Sequence, residues 1–201
     1  MTQAAIILFI KNITPGKIKT RIAATAGDDM ALKIYLALLA HTRDVALDVA
    51  ACRYVFYSHF IEINDGWPEA AFIKKTQSGA DIGERMANAI GAVLPAHSKV
   101  VLAGGDIPGL RPNIIEQAFA LLDAHDFVIG PASDGGYYLI GMKEPQPSIF
   151  HGIAWSTNKV FAQTVAAIKI LGKTFATLPT LPDVDYEDDW REYGWELRIE
   201  N

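Results

Sequence analysis

The chain has 201 residues, half of them apolar, and a formal net charge of −5. This acidic balance argues against nucleic acid or an anionic membrane surface as a general partner, since both favour basic proteins. The single cysteine excludes an internal disulfide bond, and the five scattered histidines offer no pair at the spacing of zinc ligands. We therefore expect one domain over residues 1–201 with a substantial apolar core.

The longest apolar run, residues 4–10, is far shorter than the roughly 20 residues that a membrane-spanning helix needs. It also lacks the basic segment and the small-residue cleavage site that flank the core of a signal peptide. These absences predict a cytoplasmic protein without a membrane span.

Strand and helix patterns alternate along most of the chain. Residues 4–10 are typical of a strand covered on both faces, and residues 28–51 carry Ala and Leu at helical spacing behind two acids. The later predicted strands are 53–58, one ending near 77, 99–103, 126–132, 136–142 and 174–178. The later predicted helices are 81–93, 112–124, 156–171 and one from 187. In this interpretation Ser156 caps the helix that begins there. The alternation predicts α/β layers with a mainly parallel sheet, into which the turn at 133–136 inserts an antiparallel strand.

Asp106 directly follows a predicted strand that ends in Gly104 and Gly105. Ligands of open α/β sheets bind at the carboxyl ends of the strands, and two glycines allow a ligand to approach the backbone closely. Mg²⁺ takes one or two protein carboxylates and completes its shell with water and substrate phosphates, so Asp106 is a candidate metal ligand. Alternatively, Asp106 only starts the turn of the Asp-Ile-Pro-Gly sequence.

A basic segment follows the first predicted strand. Residues 11–21 contain four of the chain's 18 basic residues, namely Lys11, Lys17, Lys19 and Arg21. A Pro15–Gly16 turn exposes backbone N–H groups among them, so the segment is a candidate site for a diphosphate or triphosphate. The glycine spacing differs from that of a P-loop. The alternative is a solvated basic loop.

A cluster of acids lies near the carboxyl end of the chain, in the sequence LPDVDYEDDW. Its spacing fails the calcium loop of an EF-hand, which requires a glycine at the sixth position and a glutamate at the twelfth. Asp185 is the member that could complete a metal site with Asp106. Alternatively, these acids occupy the first turn of a helix, where the helix dipole favours negative charge.

Two glycine-containing segments are further candidates for contact with substrate. Asp134, Gly135 and Gly136 form a hairpin turn signal, and they could also hold a sugar or acceptor against the backbone. Gln77 and Gly79 could contact a base or ribose. Asp81 and Glu84 have the spacing of a capping box, whereas Arg85 in the same first turn opposes the helix dipole and indicates an anionic or acidic partner.

Several of these segments, in this order, resemble a family of GT-A-like glycosyltransferases and nucleotidyltransferases, the rSAM/selenodomain-associated transferases. This family is similar to 2-phospholactate guanylyltransferase and to molybdenum-cofactor nucleotidyltransferases. The matching stretches span nearly the whole chain: LFIKNITPGKIKTR, QSGADIGERM, LAGGDIPGL, GPASDGGYYLIG, WSTNKVFAQT and LPDVDYEDD. The resemblance implies a three-layer GT-A sandwich of the nucleotide-diphospho-sugar transferase type. The sequence departs from the pattern of this family at Gly105, where the family usually has Thr or Ser, and at Gly109, where it usually has an acid.

The resemblance implies that Asp106 and Asp185 are metal ligands and that the loop of Lys17, Lys19 and Arg21 binds phosphates. The residue patterns described above supply the other predicted contacts, which complete the following set. Asp106 and Asp185 would bind Mg²⁺ or Mn²⁺, and Lys19, Arg21 and Asp106 would be catalytic. Contacts to the nucleotide or its phosphates would come from Lys11, Gly16, Lys17, Gln77, Gly79 and Gly105. Contacts to an acceptor or sugar would come from Asp134, Gly135 and Gly136.

The favoured hypothesis is a metal-dependent transferase that acts on a nucleotide and a small-molecule acceptor, by nucleotidyl transfer to a small phosphorylated acceptor. A glycosyltransferase that uses a nucleotide-sugar donor is the first alternative. A binding or partner module of the same fold without turnover is the second. The sequence gives no indication of the nucleobase, the sugar or the oligomeric state.

Overall fold

A computed structural model describes residues 3–14 and 16–197 of the chain. Within these residues the strands are β1 (Ala5–Ile10), β2 (Cys52–Tyr57), β3 (Ile73–Thr76), β4 (Val100–Gly104), β5 (Phe127–Pro131), β6 (Tyr137–Met142) and β7 (Phe175–Thr177). The α-helices are α1 (Thr20–Ala26), α2 (Asp28–Leu47), α3 (Ile82–Val93), α4 (Pro112–Ala124), α5 (Val160–Ile170) and α6 (Glu187–Tyr193). Short 3₁₀ turns lie at Leu94–Ala96 and Pro147–Phe150.

The strands form one sheet in the order β3-β2-β1-β4-β6-β5-β7. All neighbouring pairs are parallel except those that involve β6, which runs antiparallel to both β4 and β5. This arrangement confirms the predicted fold, a mainly parallel sheet with an antiparallel insertion.

Strand β1 shows why the sheet is covered on both faces. Its side chains alternate between two buried clusters, so that Ile6 and Leu8 enter one core while Ala5 and Ile7 enter the other. Helices α2 and α4 supply apolar residues to the first core, and α3 and α5 supply them to the second. The result is the predicted three-layer sandwich, with the sheet between two layers of helices.

Some local signals correspond directly to what the structure contains. Asp81 precedes α3 and accepts a hydrogen bond from the Glu84 backbone N–H at 2.8 Å, while the Glu84 carboxylate accepts one from the Ala80 N–H. Helix α2 ends at Leu47, four residues before the predicted end. Its last carbonyl groups and that of Val49 accept hydrogen bonds from the Arg53 guanidinium, which ties the helix end to β2.

Two predictions were wrong. The basic segment is not a loop throughout, because α1 begins at Thr20. This helix buries Ile22 in a small cluster with α2, and with only seven residues it is too short to show a clear helical period. Ser156 does not cap a helix, since it lies in a turn with φ 61° and α5 starts only at Val160. In that turn the Thr157 hydroxyl donates to the Ala154 carbonyl at 2.7 Å.

None of the helices in the described part of the chain is both long enough and apolar enough to cross a bilayer.

Candidate functional site

The candidate site forms where β1 and β4 end side by side. The two strands are parallel neighbours, and Phe9 pairs with Gly104 at their carboxyl ends. The chain segments that leave these strands therefore start next to each other, the basic segment on one side and Gly105 and Asp106 on the other. This is the edge at which α/β sheets bind ligands.

A third segment joins them from the carboxyl-terminal part of the chain. The Val184 N–H donates to the backbone carbonyl of Asp106 at 3.2 Å, and the Val184 side chain is fully buried beside α1 and α2. This contact brings Asp183 and Asp185, which flank Val184, to the same edge.

The ammonium group of Lys19 lies between two carboxylates at this edge. Its Nζ is 3.1 Å from Oδ2 of Asp106 and 3.6 Å from Oδ1 of Asp185, and it donates a hydrogen bond to the Val184 carbonyl at 2.5 Å. Arg21 donates to the second oxygen of Asp185 at 2.7 Å. The structure thus brings together four of the sequence-predicted site residues in one network of alternating charges.

Lys19 is held by an unfavourable backbone conformation. It has φ 43° and ψ 50°, in the left-handed region that costs a non-glycine residue about 1–2 kcal/mol, and it immediately precedes α1. Only 9% of its side chain is exposed, against 40% for Asp106. Strain of this kind is typical of ligand-binding segments in which the surrounding structure fixes one side chain.

Two cavities meet at this network. The inner cavity, of about 310 Å³, lies over the ends of β1 and β4 and reaches Gln77 and Arg85. The outer cleft, of about 770 Å³, extends past Asp134 to Tyr186. Four residues line both, namely Lys11, Lys17, Lys19 and Asp106. The cavities are therefore two halves of one depression with the charged network at their junction.

The two halves differ in charge. Cations line the inner cavity, with Asp106 as the only carboxylate among its lining residues. The outer cleft carries the same three lysines and Arg21, but also six carboxylates: Asp106, Asp134, Asp183, Asp185, Asp189 and Glu192. Burial and the nearby charge of Asp134, followed by those of Asp106 and Asp185, raise the pKa of Asp183 to about 6. Burial first, and the neighbouring carboxylates second, thus oppose ionisation of Asp183.

Asp106 and Asp185 have the donor chemistry for a hard divalent cation. Both carboxylates lie within 3.6 Å of one point, the Lys19 nitrogen, and both remain partly open to solvent. Two carboxylates suit Mg²⁺, which keeps water and substrate phosphates as its other ligands. Among the described residues there is no group of three or more His, Cys, Asp or Glu side chains arranged as a complete metal site. The residues fit a cation that arrives with part of its shell supplied by a phosphorylated ligand.

The later acids of the carboxyl-terminal cluster serve the helix that they begin. Oδ2 of Asp189 accepts hydrogen bonds from the N–H groups of Asp185 and Tyr186, and Glu187 and Asp188 pair with Arg191 one turn on. The capping interpretation therefore describes these three acids, whereas Asp185 faces Lys19 and Arg21.

Lys11 and Lys17 lie at the junction of the two cavities, whereas Gly16 lines neither of them. Gly16 has φ 71° and lies in a turn closed by a hydrogen bond from the Lys17 N–H to the Thr14 carbonyl, while Pro15 is outside the described residues. Lys17 and Lys11 are exposed, and neither forms an ion pair within residues 3–14 and 16–197. Both ammonium groups are thus available to an anionic ligand.

Gln77 lines the inner cavity, whereas Gly79 lines none of the described cavities. The Gln77 amide donates to the Ile10 and Phe56 carbonyls, so it connects the ends of β1 and β2 and leaves its own oxygen as an acceptor. Gly79 has φ 141°, and a Cβ there would lie 2.7 Å from the Arg85 backbone nitrogen, so this position requires glycine to begin α3. Arg85 donates to the Gly79 carbonyl and has no carboxylate partner in the described part of the chain, so its charge faces the inner cavity.

Gly105 lines the inner cavity and has little room for a side chain. A Cβ at this position would lie 3.1 Å from Cδ2 of Leu39 and 3.5 Å from Cγ2 of Ile10. The Leu39 side chain would thus have to shift slightly to accommodate a side chain at this position. At Gly109, the other departure, Leu181 is 3.2 Å from the corresponding Cβ position.

Asp134 and Gly135 form the turn between β5 and β6. Oδ1 of Asp134 accepts from the Gly136 N–H at 2.8 Å, and Gly135 has φ 89° and lies directly against the Asn158 backbone. These contacts are structural, and they present the exposed Asp134 carboxylate to the outer cleft. Of the three residues, only Asp134 lines a described cavity.

The sequence interpretation missed a polar network on the floor of the inner cavity. Buried Asn12 accepts hydrogen bonds through its side-chain oxygen from Ser58 and from the His59 and Phe60 N–H groups. Asn12 and Ser58 each follow the end of a strand, which is a signal that could have identified them. Asp183 was also missed as a site residue, although the alternation Asp-Val-Asp places two acids on one side of an extended segment.

Comparison with known proteins places the chain in a family. Residues 37–157 match DUF2064, described as an uncharacterized protein conserved in bacteria. The chain belongs to this family. Among curated proteins none matches it. A crystal structure from Desulfovibrio desulfuricans G20, provisionally described as a nucleotide-diphospho-sugar transferase, is 31% identical; the match covers 92% of this chain and 84% of that one, with a TM-score of 0.83.

More distant structures share the fold of this DUF2064 protein. CMP:2-keto-3-deoxy-manno-octonic acid synthetase in complex with CTP is 13% identical, with coverage of 94% and 96% and a TM-score of 0.56. Rv0371c of Mycobacterium tuberculosis H37Rv in complex with manganese is 14% identical, with coverage of 96% and 98% and a TM-score of 0.54. The predicted resemblance to GT-A-like transferases is confirmed at the level of family and fold.

Proposed function

We propose that this DUF2064 protein is a metal-dependent transferase whose substrate is a nucleoside triphosphate or a nucleotide-sugar. The observation that carries the proposal is the position of Lys17, Lys19 and Asp106, which line both halves of the depression. A polyphosphate at this junction would connect a nucleoside in the inner cavity to a second substrate in the outer cleft. Group transfer between two substrates requires this arrangement.

The chain's own residues provide positioning and charge. Lys11, Lys17 and Arg85 are free to bind phosphate oxygens. Lys19 and Arg21 can bind them as well once a cation has replaced them as the partner of Asp106 and Asp185. Asp106 and Asp185 would hold Mg²⁺ or Mn²⁺, which when bound would offset the negative charge of a phosphorylated substrate. Such chemistry depends mainly on positioning and electrostatic stabilisation, so no protein nucleophile is needed. The manganese complex of Rv0371c and the CTP complex of the synthetase, which share the fold, support both ligands.

The first candidate reaction is nucleotidyl transfer to a small phosphorylated acceptor. An acceptor phosphate oxygen would attack the α-phosphorus, the bond from that phosphorus to the bridging oxygen would break, and pyrophosphate would leave. The concentration of cations in residues 11–21 supports this reaction, because a triphosphate carries more charge than a nucleotide-sugar.

The second candidate is transfer of a sugar from a nucleotide-sugar to an acceptor hydroxyl, with release of a nucleoside diphosphate. The six carboxylates of the outer cleft support it, since they would repel a phosphorylated acceptor and hydrogen-bond to hydroxyl groups. The name of the Desulfovibrio relative supports it as well.

Product analysis separates these reactions. We would incubate the protein with Mg²⁺ or Mn²⁺, each of several nucleoside triphosphates or nucleotide-sugars, and a panel of sugar and sugar-phosphate acceptors. Pyrophosphate release assigns the first reaction, and nucleoside diphosphate release the second. Metal-dependent nucleotide binding without either product would assign a binding module instead, and no nucleotide binding at all would refute the proposal.

A further inference from the structure

The position of Lys19 has a consequence for how a metal ion reaches the acid pair. Its ammonium group already occupies the point that Asp106 and Asp185 share, at 3.1 and 3.6 Å, and it also donates to the Val184 carbonyl. A divalent cation bound between Oδ2 of Asp106 and Oδ1 of Asp185 would occupy the position of this ammonium group. The free protein thus holds a tethered cation where the metal would bind.

We propose that Lys19 competes with the divalent cation for Asp106 and Asp185, so that the metal binds well only together with a polyphosphate that accepts the displaced ammonium. The inference rests on the proposed function and goes beyond it by specifying how the two ligands depend on each other. Lys19 is a positioning residue in the free protein and a phosphate ligand in the complex.

The burial of Lys19 makes the exchange selective. With only 9% of its side chain exposed, the ammonium group would lose its ionic partners to a metal ion while it remains largely shielded from water. An unpaired charge in such surroundings is unfavourable, so a metal ion alone gains little. A polyphosphate at the junction supplies new oxygen partners and removes this penalty.

The backbone confines the exchange to the side chain. The Lys19 carbonyl accepts a hydrogen bond from the Ala23 N–H at the start of α1, and the side chain of Ile22 in this helix is fully buried. Both contacts hold the Lys19 backbone in place. The flexible four-carbon stem of lysine can redirect the ammonium group while the backbone stays in place. Because Lys19 lines both cavities, its ammonium group can contact a polyphosphate bound at their junction.

The test is a titration of the full chain with MnCl₂ alone, followed by the electron paramagnetic resonance signal of free Mn²⁺. Lys19→Met removes the charge and keeps the length of the side chain. Lys17→Met is the matched control, because it removes a neighbouring charge of the same segment that is not paired with either acid. Lys19→Gly, which suits the left-handed backbone, provides the same readout if the methionine variant does not fold.

Without nucleotide, we expect Lys19→Met to bind Mn²⁺ about tenfold more tightly than the natural protein, the effect of one hydrogen bond between charged groups. Lys17→Met should stay within about twofold, since an exposed charge acts only through solvent. Equal affinity of Lys19→Met and the natural protein, or an equal gain in Lys17→Met, would overturn the proposal.

A separate arm tests the proposed function itself. Thermal stability of the natural protein is measured with ATP, GTP, CTP or UTP, each with and without MnCl₂. Stabilisation that needs both ligands supports the coupling. No stabilisation by any nucleotide would refute nucleotide binding, whereas the Mn²⁺ titration reports on the competition by Lys19 without any nucleotide.

Discussion

Replacing Asp106 by asparagine should separate the function of this carboxylate from its contribution to stability. The variant keeps the shape of the side chain and removes the charge that pairs with Lys19 at 3.1 Å. Lys19 retains the Val184 carbonyl and Asp185, and Asp106 is itself 40% exposed. We therefore expect a loss of about 1 kcal/mol in the free energy of unfolding, typical of a partly exposed ionic hydrogen bond.

The loss in ligand binding should be larger. Asparagine is a far weaker ligand for a hard cation than a carboxylate, so metal-dependent nucleotide affinity should fall about 100-fold, or about 2.7 kcal/mol. Isothermal titration calorimetry with the nucleotide and Mn²⁺ measures the affinity, and urea denaturation measures the stability. Asp123→Asn is the control, because it breaks the 2.6 Å ion pair with Lys99 at the opposite end of β4. Equal nucleotide affinities of Asp106→Asn and Asp123→Asn would refute the role of Asp106.

Three further results follow from the same geometry. Lys19→Gly should unfold with a free energy about 0.5–1 kcal/mol higher than Lys19→Ala in urea, because glycine relieves the left-handed backbone; the reverse order would show that the backbone is unstrained. In metal-free protein, Asp183 should contribute a fall in stability as pH rises from about 4 to 6, because the folded state raises its pKa to about 6 and so binds the proton more tightly than the unfolded chain. Burial lowers the pKa of His41 and contributes the opposite slope, so the natural protein is compared with Asp183→Asn by urea denaturation at each pH. The variant should gain about 1 kcal/mol relative to the natural protein between pH 4 and 7, allowing for partial exposure; a difference that does not change with pH would contradict this. Gly105→Ala should lower the melting temperature less than Gly130→Ala. The new Cβ would lie 3.1 Å from the flexible Leu39 side chain at position 105, but 2.4 Å from the Tyr138 ring at position 130. Equal decreases in melting temperature would argue against these contacts.

The layers of the fold could be predicted from the sequence because local patterns determine them. The continuous apolar run of β1 reflects burial on both faces, and the Asp81 and Glu84 pair marks the start of α3 through hydrogen bonds within one turn. Helix α1 was missed because it has only seven residues and is stabilised by the tertiary cluster in which Ile22, Ala23 and Ala26 pack. The prediction that Ser156 caps a helix failed for the opposite reason. Serine is a favourable cap residue, but here it lies in a turn with positive φ that the surrounding loop determines.

The sequence was sufficient to predict which charged residues meet at the candidate site, but not which of them form ion pairs with each other. The ends of β1 and β4 had to meet in a parallel sheet, which brings the basic segment and Asp106 to one edge. The insertion of Lys19 between Asp106 and Asp185 depends on the buried Val184 and the strained backbone before α1, and neither feature has a local signature. Four of the six carboxylates of the outer cleft lie in or just after the acidic cluster visible in the sequence, whereas Asp106 and Asp134 join them only through the fold.

A crystal structure of the protein with a bound nucleoside triphosphate and Mn²⁺ tests the central claim most directly. Anomalous scattering would locate the manganese ion. The account predicts a peak at bonding distance from carboxylate oxygens of Asp106 and Asp185, with the polyphosphate at the junction of the two cavities and the Lys19 ammonium turned onto it. A manganese peak remote from both acids, or a polyphosphate bound away from Lys17 and Lys19, would contradict it.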